Sequence, residues 1–229
     1  MVSIGIDPSI NSTGVCVIMY ENDVIHTEYY IITNHLTKAT STFTEKYDNI
    51  HVISYNKETN EKRDDYTTKE MKKYYNFKTI CHHVSDILKK HNPDFVTMEG
   101  ISYGSVGSAA LVDLSGLNFM LRNTISNSCN AEITIVSPTE NKRFAVGCGS
   151  INKIAIVDTW SRCENFNVNK SAKVDDIADA FFMALYRAVD DESFNRKFIM
   201  PTIEITEEHK VKRKKKEVDN DITDAFYNI

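Results

Sequence analysis

The run Val2-Ser3-Ile4-Gly5-Ile6-Asp7 opens the chain with an apolar stretch that ends in a carboxylate. A second run, Phe95-Val96-Thr97-Met98-Glu99, has the same form. A carboxylate at the end of a buried strand is costly to desolvate unless a positive group compensates its charge. Hard divalent cations held by oxygen ligands are a common compensation in proteins. The two strand ends therefore predict a metal site that includes Asp7 and Glu99.

A third acidic feature interrupts an apolar helical stretch near residue 180. Asp176 and Asp179 are three residues apart, so they lie side by side on a helix, with Asp175 next to them. Acids in a first turn also favour the helix dipole without any metal. The neighbouring Phe182 and Met183 indicate that this face is covered, and covered carboxylates need cations. We therefore predict Asp176 and Asp179 as metal ligands, with Asp175 as an alternative to Asp176.

The composition is that of an ordinary globular protein. The chain has 229 residues, 41% of them hydrophobic and 26% charged, and no apolar run approaches the roughly 18 residues of a membrane span. The first residues lack the basic segment of an export signal. The five scattered cysteines form no CxxC pair, which is typical of free thiols in a reducing compartment. We expect a cytoplasmic protein, in the host cytoplasm if a phage encodes it, without a membrane partner.

The net charge of −5 argues at first against a nucleic-acid partner. The predicted metal cluster alone contributes four of the negative charges, and bound cations would cancel them. Because electrostatic footprints are local, an acidic protein can still present a basic surface to DNA.

The order of predicted elements is that of an α/β protein. Short runs over 2–7, 13–20 and 24–32 predict an antiparallel meander of strands. The following segments alternate between helix and strand: helix 67–91 with Thr67 and Glu70 as a capping box, strand 94–98, helix 109–126, strand 132–136, a helix from Pro138, and helices 152–163 and 173–190. Residues 51–55 are a further candidate strand. This order predicts a mixed five-stranded sheet flanked by helices.

Two of these strands resemble those of RuvC-type Holliday junction resolvases, which have a ribonuclease H-like fold. Ile4-Gly5-Ile6-Asp7-Pro8-Ser9, with Thr13-Gly14, resembles their opening strand and turn. Val96-Thr97-Met98-Glu99 resembles their second acidic strand. The first motif alone is weak, because an I-G-I-D strand end also opens actin-like ATPases.

Three later features continue the resemblance in family order. Val146-Gly147-Cys148-Gly149 with Lys153 is similar to the family's glycine turn and downstream lysine, and Lys142 matches a second lysine. Asp176-Ile177-Ala178-Asp179-Ala180 resembles its closing D-x-x-D-A helix. Together the matches cover roughly residues 1–190, and their order makes the resemblance fairly specific.

The resemblance implies a metal-dependent endodeoxyribonuclease that resolves four-way DNA junctions by paired hydrolytic nicks. Its catalytic metal ligands would be Asp7, Glu99, Asp176 and Asp179, holding two Mg²⁺ or Mn²⁺ ions about 4 Å apart. Lys153 would also be catalytic, and both Lys142 and Lys153 would contact DNA phosphates as point charges.

The resemblance further implies a homodimer, because symmetric nicking needs two active sites related by a two-fold axis. Family members place an aromatic residue shortly after the second acid, where it stacks on an unpaired junction base. The third residue after Glu99 is Ser102, and Tyr103 follows it, so Tyr103 is the candidate DNA-stacking residue with a shifted position.

Two polar tracts make the chain longer than a compact bacterial resolvase, which is typical of a phage or otherwise divergent member. Within a nuclease domain over residues 1–192, residues 33–66 are interpreted as an insertion.

Residues 210–216 contain six basic residues, and the chain ends with acidic and aromatic residues. A block of like charge after an apparent last helix indicates disorder. We therefore predict that 193–229 is a disordered tail, in which residues 210–216 tether DNA phosphates and residues 222–229 dock a replication or recombination protein.

Two other functions fit parts of the sequence. The first is a ribonuclease H-like nuclease that acts on other branched DNA intermediates. The second is an actin-like ATP-binding phosphotransferase, suggested only by the opening strand. Actin-like proteins need two such domains and a glycine-rich adenosine motif, and the chain has neither the length nor the motif. A non-catalytic DNA-binding relative would have no reason to keep all four acids.

Overall fold

The computed structural model describes residues 1–101, 108–201 and 204–210. The strands are β1 (Val2–Asp7), β2 (Ser12–Glu21), β3 (Val24–Thr33), β4 (Ile50–Ser54), β5 (Phe95–Glu99) and β6 (Glu132–Val136). The helices are α1 (Lys38–Thr44), α2 (Tyr66–His91), α3 (Ser108–Ser128), α4 (Pro138–Val146), α5 (Lys153–Cys163), α6 (Asp175–Ala188) and α7 (Glu192–Lys197). A 3₁₀ turn follows at Glu207–His209. Across these ranges, no helix combines the length and the apolar character needed to cross a membrane.

The strands form one mixed sheet in the order β4-β3-β2-β1-β5-β6. β1, β2 and β3 are the predicted antiparallel meander, while β1 and β5, β5 and β6, and β3 and β4 pair in parallel. Asn22 and Asp23 join β2 to β3 with positive φ at both residues. Such a two-residue turn matches the twist of a hairpin, and Asn and Asp tolerate this conformation. The predicted α/β class and mixed sheet are confirmed.

The predicted strand count of five is wrong because β4 adds a sixth strand. β4 pairs in parallel with β3, and its first residue, the buried Ile50, lies opposite Tyr29. The preceding helix α1 places Phe43 in the core. Residues 38–54 are therefore part of the sheet and core. Their polar, weakly alternating sequence reflects the exposed outer side of an edge strand.

Helices cover both faces of the sheet. The pleat directs Ile4 and Ile6 toward a core shared with α2 and α3. The alternate residues of β1, Ser3, Gly5 and Asp7, consequently face the other side, where α4, α5 and α6 pack. The same alternation sends Val96 and Met98 of β5 to the first core and leaves Glu99 on the α6 side. The strand pattern thus decides which layer receives the acidic strand ends.

Residues beyond the predicted domain boundary at 192 pack against the rest of the protein in the described part of the tail. In α7, Phe194 is fully buried, with its ring 5.6 Å from that of Tyr20 and stacked on Phe198. His209 is also buried. A one-turn helix carries too few apolar positions for its periodicity to be recognised in the sequence. Residues 211–229 lie outside the described residues, and their roles remain predictions.

Two helix starts show how local sequence sets element boundaries. Ser137 and Glu140 cap α4 reciprocally with Pro138 in the first turn, so the predicted start is confirmed. The predicted capping box of α2 is wrong, because the cap is Asp65, whose carboxylate accepts a 2.7 Å bond from the Thr68 amide. Aspartate is as good an N-cap as threonine, and the helix begins one residue earlier.

Candidate active site

The ends of β1 and β5 bring the first two predicted site residues together. The strands are parallel neighbours with Ile6 opposite Met98, so Asp7 and Glu99 follow side by side. The Asp7 side chain is buried and its carboxyl is hydrogen-bonded to Glu99. Burial raises the pKa of Asp7 well above its ordinary value, and the adjacent Glu99 raises it further. Asp7 is therefore harder to ionise than an ordinary aspartate in the absence of a compensating cation.

Two glycines allow α6 to approach the strand ends. A Cβ at Gly5 would lie 1.9 Å from the carbonyl oxygen of Ala180, and a Cβ at Gly14 would lie 2.2 Å from that of Asp176. The Ser3 hydroxyl donates a 2.7 Å bond to the Ala184 carbonyl in the same contact. Any larger residue at either glycine would push α6 away from the sheet. The glycines therefore set the distance between the helix acids and the strand acids.

The predicted helix acids face the strand acids across this close contact. Burial raises the pKa of Asp176 to about 6, and the charge of Asp175 adds to this effect. Burial also raises the pKa of Asp179 to about 7; Lys153 opposes this shift and Glu99 adds to it. The buried helix α6 thus carries carboxylates that repel those of the strands.

Within the described residues, no three His, Cys, Asp or Glu side chains are already gathered at the spacing of a metal site. Asp7 and Glu99 are in hydrogen-bonding contact, whereas Asp176 and Asp179 interact with them through space. Like charges that converge in a desolvated region repel one another unless a cation lies between them. The donor set, carboxylate oxygens alone, has the chemistry that Mg²⁺ and Mn²⁺ prefer.

Lys153 is the basic residue that joins this cluster. Its Nζ lies 2.5 Å from Asp175 Oδ2, so Asp175 is engaged in an ion pair. Burial lowers the pKa of Lys153, but Asp175, Asp7 and Asp176 more than offset this effect and raise it above its ordinary value. The charge of Lys142, on α4, also lowers the pKa of Asp179, but less than that of Lys153 does. Both predicted lysines therefore lie on the α6 side of the sheet and act on the acids with different strength.

Sequence reasoning missed two polar neighbours of the acids. The buried Asn141 donates from Nδ2 to the Asp179 carbonyl at 3.2 Å and to Asp179 Oδ1 at 3.4 Å. Its own Oδ1 is buried without a hydrogen-bond partner among the described residues. The Ser12 side chain bonds Asp176 and opposes the rise in its pKa. Asn141 directly precedes Lys142, but an Asn in a helix has too many possible roles to be recognised from sequence.

Tyr103 lies outside the described residues, so its stacking role remains a prediction. The end of β5, which leads into the segment that contains it, is held in place. The Gly100 amide donates a 2.7 Å bond to the Val136 carbonyl, and Asn118 donates a 2.8 Å bond to the Glu99 carbonyl. The chain therefore leaves β5 directly beside the acidic pair.

Comparisons with known proteins give matches among solved structures. No protein-family model and no curated protein matches the sequence. T. thermophilus RuvC in complex with a Holliday junction substrate matches with a TM-score of 0.53 at 13% identity, over 81% of this chain and 91% of that chain. A further Thermus thermophilus RuvC structure matches with a TM-score of 0.50 at 14% identity, over 86% and 96%.

The Fowlpox virus resolvase in complex with substrate Holliday junction DNA also matches, at 18% identity over 82% of this chain and 96% of that chain. Its TM-score of 0.42 is too low to bear on the fold. The two RuvC matches span most of both chains, so the likeness covers the sheet and the helices packed on it. The chain therefore has the ribonuclease H-like fold of RuvC, as its sequence motifs predicted.

Proposed function

We propose that the protein is a metal-dependent endodeoxyribonuclease that resolves four-way DNA junctions by paired hydrolytic nicks. The observation that carries the proposal is that α6 packs against the strand ends so that Asp176 and Asp179 face Asp7 and Glu99, with Asp7 and Asp179 buried. The same fold occurs in RuvC, one of whose structures contains a Holliday junction substrate. Acids that only supported the fold would be expected to carry their own counter-charges.

The four carboxylates would hold the divalent cations, two Mg²⁺ or Mn²⁺ ions in each site. Bound cations supply an activated water and neutralise the charge on the leaving oxygen. The carboxylates fit this role because burial, with a smaller contribution from neighbouring acids, raises their pKa values, and a bound cation would favour their ionised form. Among the described residues, Oδ1 of Asn141, next to Asp179, has no hydrogen-bond partner. This neutral oxygen is a possible additional metal ligand, which supports cation binding at the site.

The lysines would hold the DNA backbone at the site. Lys153 is protonated and points into the acidic cluster, where its ammonium can donate to a phosphate oxygen next to the scissile bond. Its partner Asp175 keeps it in place before DNA arrives. Lys142 on α4, whose charge acts more weakly on Asp179, would contact a phosphate one step along the strand. Tyr103 is the candidate for stacking on a junction base.

Paired nicks on a symmetric junction need two sites, so the active form is proposed to be a homodimer. The surface of α3 and β6 suits a second copy. It exposes four apolar side chains: Val112 at 68%, Phe119 at 60%, Ile135 at 40% and Ile133 at 36%. Introducing a charge at this surface with Phe119→Glu should convert a dimer into a monomer in sedimentation. An unchanged mass would place the interface elsewhere.

A cleavage assay on three labelled DNAs tests the function. Purified full-length protein is incubated with a four-way junction, a flap and a duplex, in Mg²⁺ or in EDTA. We expect paired nicks in opposite strands of the junction, in Mg²⁺ only, and an intact duplex. Equal cutting of the flap would favour the nuclease for other branched DNA. ATP hydrolysis without any DNA cleavage would favour the actin-like alternative.

A further inference from the structure

The segment 204–210, called the clasp below, lies against the start of α5, the helix that begins with Lys153. Lys210 forms an antiparallel bridge with the buried Ile151. The Asn152 amide donates a 3.0 Å bond to the His209 carbonyl. The clasp therefore holds the two residues that directly precede Lys153.

Asn152 connects the clasp to the helix through its side chain. Its Oδ1 accepts bonds from the amides of Ile154 at 3.0 Å and Ala155 at 3.4 Å, which caps α5. Its Nδ2 donates to the Glu208 carbonyl. Because its oxygen bonds α5 and its nitrogen bonds the clasp, the Asn152 side-chain amide cannot rotate without breaking one set of hydrogen bonds. The first turn of α5 is therefore tied to the clasp as well as to its own cap.

His209 anchors the clasp farther along the same helix. Its Nδ1 accepts a 3.1 Å bond from the Thr206 amide, so the other ring nitrogen carries the hydrogen. That nitrogen, Nε2, donates to Asp158 Oδ2 at 3.0 Å. His209 is 6% exposed, whereas the facing carboxylate of Asp158 is about half exposed. The clasp thus contacts α5 at its cap and again near its middle.

We propose that the clasp is a positioning element for Lys153, with His209 as its key residue; this inference rests on the proposed function. A lysine has a long flexible stem, so its ammonium is located only as well as its backbone is held. Lys153 Nζ must reach Asp175 and the other acids from the first position of a helix, where fraying is greatest. The clasp contacts remove that freedom without touching the reacting groups.

Full-length variants test the proposal, with Glu207→Ala as the matched control. His209→Ala removes the anchor, Asp158→Ala removes its acceptor, and the double variant tests whether both act through the same contact. Glu207 lies on the same turn, but its side chain is 87% exposed. Three quantities are measured: hydrogen exchange at residues 153–157, the rate at which an amine-reactive reagent acylates Lys153, and junction cleavage in a single turnover.

We expect His209→Ala to speed exchange in the first turn of α5 and acylation of Lys153, while exchange in α2 stays unchanged. Single-turnover cleavage at saturating protein should fall about tenfold, because small misplacements of a positioned group are costly, with junction affinity within about twofold. Asp158→Ala should match it, and the double variant should be no worse than either. His209→Gln, which keeps a donor toward Asp158, should recover much of the rate.

Normal exchange, acylation and cleavage in His209→Ala would overturn the proposal. Faster exchange throughout α2 as well would also overturn it, because the role of the clasp would then be general stability. If the wild-type protein cuts no DNA, the proposed function fails, but exchange and acylation still decide whether the clasp positions Lys153.

Discussion

Two groups of acidic residues in this molecule show opposite ways of placing a carboxylate in a fold. On the α2 side of the sheet, Glu28 accepts hydrogen bonds from the Tyr30 hydroxyl at 2.6 Å and from Lys90 Nζ at 2.9 Å. Partial burial raises the pKa of Glu28, but Tyr30, Lys90 and the nearby His91 outweigh it and lower the pKa overall. Glu28 is a carboxylate with its counter-charges built in.

The acids on the α6 side have the opposite balance. Asp7 is more deeply buried than Glu28, and its nearest charged neighbour is another acid, Glu99. Lys153 is present, but its ion pair is made with the peripheral Asp175. Burial alone therefore does not identify a functional acid. What distinguishes the site is burial combined with uncompensated charge.

The largest expected effect is that of Asp7→Asn on cleavage. Removing one of the carboxylates that act as a unit should reduce cleavage about a thousandfold or more, with junction binding retained. The same change removes a carboxylate that is costly to bury and that is repelled by Glu99. The metal-free protein should therefore become more stable, by about 1 kcal/mol or more at pH 8. Quantitative nicking and urea unfolding in EDTA measure the two effects.

Asp86→Asn, a change at an exposed acid on α2, is the control for Asp7→Asn and should alter neither cleavage nor stability. Near-normal nicking by Asp7→Asn in Mg²⁺ would remove Asp7 from the mechanism.

The next effect separates the two lysines. Lys153→Ala should slow cleavage about a hundredfold, and Lys142→Ala about tenfold, because each substitution removes a positive charge that would face developing negative charge. The larger effect is expected for Lys153 because it pairs directly with Asp175 and acts more strongly on Asp179. Each should also reduce the slope of log affinity against log salt by about one phosphate contact. Lys78→Ala, at an exposed lysine on α2, is the control. Equal activity and unchanged slopes would make both residues ordinary surface lysines.

A third effect is the pH dependence of stability. Asp176 and Asp179 have folded-state pKa values of about 6 and about 7, above the ordinary 3.8. Their protons stabilise the folded state fully below about pH 4, and this contribution is lost as pH rises through 6 and 7. In EDTA, we expect the free energy of unfolding to fall by at least about 2 kcal/mol between pH 4 and pH 8.

Mg²⁺ should counter this loss increasingly as pH rises, since it binds the ionised carboxylates. Urea unfolding in EDTA and in Mg²⁺ at several pH values measures both slopes, and Asp176→Asn with Asp179→Asn should flatten the EDTA curve. A metal-free curve that rises toward pH 8 would contradict the pKa directions.

The smallest effect concerns Glu28. Glu28→Gln should lower the free energy of unfolding by about 0.5–1 kcal/mol at pH 7, the opposite sign to Asp7→Asn, and leave cleavage unchanged. Because the pKa of Glu28 is lowered in the folded state, its stabilising effect exists above the unfolded pKa and is lost on acidification. Wild type and variant should therefore converge near pH 3. A stability gain at pH 7 would remove the contrast between the two groups.

The strand acids and the helix acids could be predicted from the sequence because their positions break a strong local pattern. An acid after an apolar run, or paired acids on an apolar helix, stand out at the level of neighbouring residues. The candidate strand 51–55 corresponds to β4, but its place in the sheet, the short helix α7 and the Asp65 cap could not be predicted reliably. Each is short or polar, and its burial depends on residues far away in the chain, as for Phe194 against Tyr20.

The sequence by itself determined the alternation of β1 and β5, and with it the sheet face that carries Asp7 and Glu99. It also determined the apolar helix on which Asp176 and Asp179 lie. Only the tertiary structure decided that Gly5 and Gly14 let this helix touch the sheet, that Asn141 joins the acids, and that the clasp meets the start of α5. These contacts join residues distant in the chain, so no local pattern encodes them. They form only when α6 packs on the sheet, and the same packing brings the helix carboxylates and the strand carboxylates to one desolvated place.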